Sequence, residues 1–348
     1  MSSTGRVLYA GFATPHRSGG VHVMTQHVGL LRKHGIEAWL WLPGGADRPG
    51  WLDPDLPVVT GTTIPIGPQD LLVVPETPTV PGRDPAPGAR TVIFNQNHFY
   101  TYAASPPGRS APDFPTWALP PGVWAVSDES RDVLAATLPH LTVALVPNSV
   151  DGELFRPGRP TDEQTRQHEQ PTRVTWFPRK RPREASLLRE LLSHDPRLAG
   201  VELVELVDAP QAQVAGILSG TTVFVSLGHS ESFGLPVAEA LASGCLVAGY
   251  DGGGGAELFE APGVWRVPDQ RPLLLRDRVV DLVQRAGELT ALHTANRAWV
   301  LERYSTDRTA AALLEAVEAA RARPGADAVA THPAAWLDTL GPNFTAFA

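Results

Sequence analysis

Cysteine is almost absent from this 348-residue sequence: Cys245 stands alone, so no intramolecular disulfide and no thiolate metal cluster can form. Its apolar surroundings predict a small core residue and not a reactive thiol. Long apolar runs are lacking too, with none approaching the ~20 residues that a membrane span needs. The polar start Met1-Ser2-Ser3-Thr4-Gly5-Arg6 runs straight into Val7-Leu8-Tyr9-Ala10 and leaves no room for the apolar part of a signal peptide. The expectation is a cytoplasmic protein without a transmembrane segment, with peripheral membrane contact left open. Positive charge is not in excess. The formal net charge of -8 disfavours nucleic acid as the main partner, because phosphate binding leaves a basic footprint.

What is present is a globular composition, 43% hydrophobic and 19% charged, on a chain long enough for two cores. The thirty-four prolines read as stiff connections. Short apolar runs at 6–10, 38–42, 71–74, 91–94, 123–126 and 143–146 predict buried strands. Between the first two, Val21, Met24, Val28 and Leu31 recur at helical spacing, and Gly35 follows as a C-terminal cap. A second helix fits 127–138 with Ser127 as its N-cap. The chain then turns polar from 152 to 170, and a second series begins. Strands fit 173–177, 201–206, 223–226 and 245–249; helices fit 185–192, 211–218 and 236–242. Alternating strands and crossover helices imply parallel sheets, whose ligands bind at the carboxyl ends of the strands.

The stretch His229-Ser230-Glu231-Ser232-Phe233-Gly234-Leu235-Pro236-Val237-Ala238-Glu239-Ala240 lies at such a strand end. Pro236 suits the first turn of a helix, so free N–H groups near Gly234 and Leu235 offer a site for a phosphate or sugar oxygen. Two carboxylates flank it. From spacing alone Glu239 equally offsets a helix dipole, and Glu231 is equally a solvated loop residue. The basic run Phe177-Pro178-Arg179-Lys180-Arg181-Pro182-Arg183 follows the first strand of the second series, where a diphosphate leaving group would need cations; Arg181 reads as a solvated charge. Ser18-Gly19-Gly20 precedes a helix start, where glycine lets backbone approach a ligand. His98, within Asn95-Gln96-Asn97-His98-Phe99-Tyr100, follows another strand, and is equally readable as a structural histidine.

These motifs, in this order, resemble retaining glycosyltransferase family 4, a group with the two-Rossmann GT-B fold, and Pro178-Arg179-Lys180 resembles one subgroup of it. The resemblance spans about residues 6 to 320. It rests on Glu231 and Glu239 around Phe233-Gly234-Leu235-Pro236, on Glu239-Ala240-Leu241-Ala242-Ser243-Gly244-Cys245, and on Val146-Pro147-Asn148-Ser149-Val150-Asp151 before Phe155 and Pro157. At Ser149 the family usually has glycine. It implies that Glu231 contacts the transferred sugar, that Glu239 binds the ribose, and that the backbone of Phe233, Gly234 and Leu235 meets sugar and phosphate. It further implies that Gly19 and Gly20 touch the donor diphosphate, that Arg179 and Lys180 neutralise it, and that His98 lies near the reacting sugar. His16 and His22, beside the glycine loop, read as structural.

The expected fold is therefore α/β, GT-B, with two doubly wound Rossmann-like domains facing across a cleft and closing over the donor. Residues 1–151 form the N-terminal, acceptor-side domain and 152–170 a linker. Residues 171–305 form the nucleotide-sugar domain, 306–323 a helix capped by Ser305 that crosses back, and 324–348 a tail that matches nothing. The run Gly252 to Gly255 implies backbone close to a ligand or to the other domain. Glu257 reads as a helix-start carboxylate.

The expected reaction is transfer of a hexose from a nucleotide diphosphate sugar, the co-substrate, to an acceptor hydroxyl with retention, and with no cofactor and no metal. A nucleotide-sugar epimerase or hydrolase on the same scaffold, and a non-catalytic sugar-nucleotide-binding protein, are the alternatives.

Overall fold

The first strand, β1 (Val7–Ala10), has no exposed residue, because it is covered on both faces and flanked on both edges. In the computed structural model, residues 5–11, 18–42, 48–61, 63–76, 86, 88–103, 120–158, 172–325 and 330–333 are described. They fall into two compact units: Met1–Pro147 with Thr309–Ala348, and Asn148–Arg308.

In the first unit β1 leads to α1 (Gly19–Lys33), which buries Val21, Met24, Val28 and Leu31 on the face that the spacing predicts. Arg32 and Lys33 complement its C-terminal end, and Gly35 turns the chain at φ 77°. There follow β2 (Ala38–Leu42), β3 (Val58–Thr60), β4 (Thr63–Ile66), β5 (Leu71–Pro75), β6 (Arg90–Asn95), α2 (His98–Ala103), β7 (Gly122–Ala125), α3 (Asp128–Thr137) and β8 (Val143–Leu145). Seven of these strands form one parallel sheet in the order β3-β2-β1-β5-β6-β7-β8. Ser127 caps α3 by accepting the Ser130 N–H at 3.1 Å. The strand order reverses between β1 and β5, so the crevice of this sheet lies at their carboxyl ends.

The second unit contains β9 (Arg173–Trp176), α4 (Pro182–Ser193), β10 (Glu202–Glu205), α5 (Gln211–Ser219), β11 (Val223–Glu231), α6 (Leu235–Ala242), β12 (Leu246–Gly253), β13 (Val264–Arg266), α7 (Pro272–Gln284) and α8 (Thr290–Tyr304). Its five strands are parallel in the order β10-β9-β11-β12-β13, and the reversal falls between β9 and β11. Cys245 is buried, as its surroundings predict. Residues 148–158, part of which reads in the sequence as linker, are tied into this unit. Arg297 donates to the carbonyls of Gly152, Phe155 and Ala242, and Gly158 N–H reaches the Ser219 carbonyl.

The last helix, α9 (Thr306–Arg321), begins after Ser305, whose hydroxyl lies 3.5 Å from the Arg308 N–H. From Thr309 onward it belongs to the first unit, where Arg321 donates to the Gly5 carbonyl and Thr309 to that of Pro147. The strand β14 (Ala330–Pro333) pairs antiparallel with β4. Among the described residues no helix is long and apolar enough to cross a membrane.

Candidate active site

Both strands at the reversal point of the second unit carry predicted site residues. The strand β9 runs into Arg179, Lys180 and Arg181, and β11 ends on Glu231. The sequence suggests that β11 stops near Ser226; it continues to Glu231 because β12 continues beside it. Pairing is regular through Gly228 and Asp251, then slips by a bulge before Glu231 meets Gly253, with Ser230 at φ 47° inside the bulge. Bulges of this kind re-aim side chains beside functional sites. Here the bulge presents Glu231 to Lys180, whose Nζ lies 2.7 Å from Oε1.

Three adjacent cations have three different environments. Arg179 is exposed and, among the described residues, makes no ion pair or side-chain hydrogen bond. Lys180 pairs with Glu231. Arg181 is the correction: instead of a solvated charge it is a tie, with its side chain 11% exposed. It contacts Glu184 at 2.9 Å, Asp269 at 2.7 Å and the Gly228 carbonyl at 3.1 Å, and it stacks on Tyr250 at 5.0 Å. Glu184 is a local partner at i+3, but Asp269 and the Tyr250 ring come from sequence-distant elements that no local pattern announces.

After Glu231 the chain enters α6 through Gly234, whose φ of 92° and ψ of 55° are left-handed and favour glycine. No side chain caps this helix, Pro236 has no N–H, and the Val237 and Ala238 amides bond to the Gly234 carbonyl at 2.9 and 3.3 Å, so the Leu235 N–H is the first-turn amide beside Glu231 that the helix itself does not use. Phe233 is buried and packs edge-on against Tyr304 at 5.0 Å. Its ring belongs to the core, which leaves its backbone for ligand contact. Leu235 opens the helix, and Glu239 stands half-buried one turn later.

The glycine run is explained differently from the expectation. A Cβ at Gly252 would lie 2.8 Å from the Glu231 side chain, one at Gly254 2.4 Å from the Glu231 carbonyl oxygen, and one at Gly255 2.5 Å from the Asp251 oxygen. These three glycines make room for the Glu231–Phe233 segment and for Asp251 of their own unit. Glu257 begins a 3-10 turn and accepts from the Tyr304 hydroxyl at 2.9 Å. On the far side of the bulge a pocket of about 250 Å³ is lined by Arg181, His229, Tyr250, Asp251, Arg266 and Asp269 among others; none of the predicted site residues lines it.

The first unit gathers the rest. Gly19 and Gly20 open α1, and a Cβ on Gly20 would stand 3.2 Å from the Gln96 amide, so glycine lets this helix start sit beside the turn after β6. Gly19 has open space around its Cβ position. His98, in that same turn, is buried; its Nδ1 is 2.9 Å from the Ser130 hydroxyl, which is in turn 3.0 Å from that of Ser127. Burial lowers the affinity of its imidazole for a proton. Thus His98 has the satisfied surroundings of a structural histidine while it occupies the strand-end position of a functional one. His22 lies in α1, and His16 falls outside the described residues.

Sequence reasoning passed over Glu76, at the end of β5 on the reversal point of this sheet. It is buried and accepts from the Gln96 N–H at 3.3 Å, and burial pushes its carboxyl up to about 7. An acid ending the apolar run Leu71-Leu72-Val73-Val74 was the available signal. Among the described residues no group of three or more His, Cys, Asp or Glu is arranged to hold a metal.

No family model matches the chain. It is 26% identical over 259 residues to an alpha-1,6-glucosyltransferase of Actinobacillus pleuropneumoniae serotype 7 (strain AP76), covering 70% of this chain and 72% of that one. A sucrose-phosphate synthase from Thermosynechococcus elongatus superimposes with a TM-score of 0.64 at 13% identity, covering 90% of this chain and 98% of its own. HepE of Anabaena, solved with UDP and glucose, also gives 0.64, at 15% identity over 90% and 99%. The chain therefore has the α/β GT-B fold with two Rossmann-like domains, and in sequence it is similar to a glucosyltransferase.

Proposed function

We propose that this protein is a retaining glycosyltransferase that moves a hexose from a nucleoside diphosphate sugar to an acceptor hydroxyl without a metal ion. The observation that carries the reading is the pairing of Lys180 with Glu231, beside the start of α6 and the exposed Arg179. Anionic and cationic groups meet there at a strand-order reversal, as a ligand with both hydroxyls and phosphates requires. Similarity to a glucosyltransferase supports glucose as the sugar, and the UDP bound to HepE supports uridine as the base, so UDP-glucose is the first donor to test.

In this reading Glu231 accepts hydroxyls of the transferred sugar, and Glu239 accepts the ribose hydroxyls. The Leu235 amide at the start of α6 and the glycines Gly19 and Gly20 meet the diphosphate. As the bond from the anomeric carbon to the phosphate oxygen breaks, negative charge grows on the diphosphate, and Arg179 and Lys180 neutralise it. The acceptor oxygen attacks from the same face, its proton passing to the departing phosphate oxygen. The protein contributes position and field. The pair of Lys180 and Glu231 is partly open to solvent, with side chains 27% and 18% exposed, so Lys180 can share this contact with a phosphate.

Calorimetry with uridine, guanosine, adenosine and thymidine diphosphate sugars tests the reading: one donor binds, and Glu239→Ala weakens it. Absence of binding by every donor would sink it. Turnover is expected to survive a chelator; loss restored by a divalent ion would refute the metal-independent part.

A further inference from the structure

We propose that Arg181 is a positioning residue of the candidate active site: its guanidinium clamps the bulge of β11 and, through that bulge, holds Glu231 against Lys180. The proposal rests on the glycosyltransferase reading only in taking Glu231 to face the donor sugar. Pairing between β11 and β12 is regular through Gly228 and Asp251 and resumes at Glu231 and Gly253, with Ser230 at φ 47° between. A left-handed residue that is not glycine persists where its surroundings over-determine it. Arg181 supplies that constraint. Its Nε donates to the carbonyl of Gly228, the last residue in regular register, at 3.1 Å, and its Nη2 lies 3.3 Å from Nδ1 of His229, the next residue.

The guanidinium is itself anchored. Nη1 meets Glu184 at 2.9 Å, Nη2 meets Asp269 at 2.7 Å, and the group stacks on the Tyr250 ring at 5.0 Å. Tyr250 stands opposite Leu227 in the register of β11 and β12, so Arg181 holds both strands just before their pairing slips. It is also the chain neighbour of Lys180. The Lys180 Nζ lies 2.7 Å from Glu231 Oε1 and 3.5 Å from the His229 carbonyl oxygen, so the cation that pairs with Glu231 also touches the residue that Arg181 grips. With its donors engaged by protein groups and its side chain 11% exposed, Arg181 acts on a ligand through Glu231, whereas the exposed Arg179 can act directly. The planar fork of arginine reaches partners in several directions at once. Lysine carries its donors on one nitrogen and loses that reach.

Arg181→Lys therefore keeps the charge and removes the clamp. Hydrogen-exchange mass spectrometry is expected to show the amides of residues 229–232 exchanging about tenfold faster, with the rest of the second unit unchanged. With the donor that calorimetry identifies, kcat should fall about tenfold and the donor KM change by less than about twofold, since Glu231 is assigned to the transition state. In a Glu231→Gln background the same Arg181 substitution should lower kcat by less than about a further twofold, because the residue through which it acts is already gone. A purely structural role would lower the melting temperature and give losses that multiply. Unchanged exchange, unchanged kcat or multiplying losses overturns the proposal. If Arg181→Lys does not fold, Asp269→Asn, at a side chain 55% exposed, removes one anchor of the guanidinium and is expected to speed the same amides about two- to threefold. Unchanged exchange in that variant is equally decisive against the clamp. Faster exchange in a protein that binds no nucleoside diphosphate sugar refutes the donor reading alone, and donor binding with unchanged exchange refutes the clamp alone.

Discussion

At the strand ends of the second unit the predicted site residues are charged and at least partly open to solvent: Arg179 is exposed, and the Lys180–Glu231 pair is partly so. At the strand ends of the first unit they are buried. There burial pushes Glu76 up to about 7, and lowers His98; deeper in, it brings His27, against the Tyr9 hydroxyl, down to about 3. The same doubly wound architecture thus provides partly exposed charge in one unit and a buried, hydrogen-bonded turn in the other. Charge that is exposed and weakly paired can be redirected to a diphosphate. Groups that are buried and hydrogen-bonded keep a shape.

The largest effect that would sharpen the contrast is loss of Arg179. Arg179→Ala is expected to lower kcat about 100–1,000-fold, the loss seen when a donor to a developing oxyanion is removed. Steady-state rates at saturating donor check it, and a variant that keeps half of its turnover would make Arg179 a mere surface charge.

Glu76 tests the neutral side. Its carboxyl rises from an ordinary 4.5 to about 7, so stability from the neutral acid is complete below about 4.5 and is lost as pH climbs through 7. Glu76→Gln retains an oxygen for the Gln96 N–H and carries no charge. It is expected to be more stable than wild type at pH 8 by up to roughly 3 kcal/mol and nearly equal at pH 4.5. Urea titrations at the two pH values measure this, and parallel pH dependence in the two proteins would mean that the carboxyl is not buried in solution.

The two glutamates of the second unit are expected to fail differently. Glu239 holds a part of the donor that does not change in the reaction, so Glu239→Ala should raise the donor KM on the order of tenfold to a few hundredfold. Glu231 addresses a sugar that gains positive character, so Glu231→Gln should lower kcat by at least ~10-fold with donor affinity little changed. Both constants for both variants decide it; the reverse pattern would invert the assignment.

The sequence alone determined a good deal. Runs such as Ala38–Leu42 and the period of Val21, Met24, Val28 and Leu31 define strands and helices because burial on both faces, or on one stripe, demands those patterns. Ser127, Gly35 and Pro236 mark helix ends, since caps and proline act within one turn. The residues about Glu231 and Gly234 were legible because strand, glycine and helix start follow one another along the chain. Tertiary structure alone decided what depends on distant partners. Arg181 reads as one more cation until Asp269 and Tyr250 close around it. That Gly252 and Gly254 leave space for the Glu231–Ser232 backbone and the Glu231 side chain is not visible in the run of four glycines itself. Glu76 is an ordinary acid in sequence and becomes a weak one only when β1, β5 and β6 bury it at a common edge. Local patterns fix backbone preference, whereas the electrostatic state of a side chain depends on its whole three-dimensional surroundings.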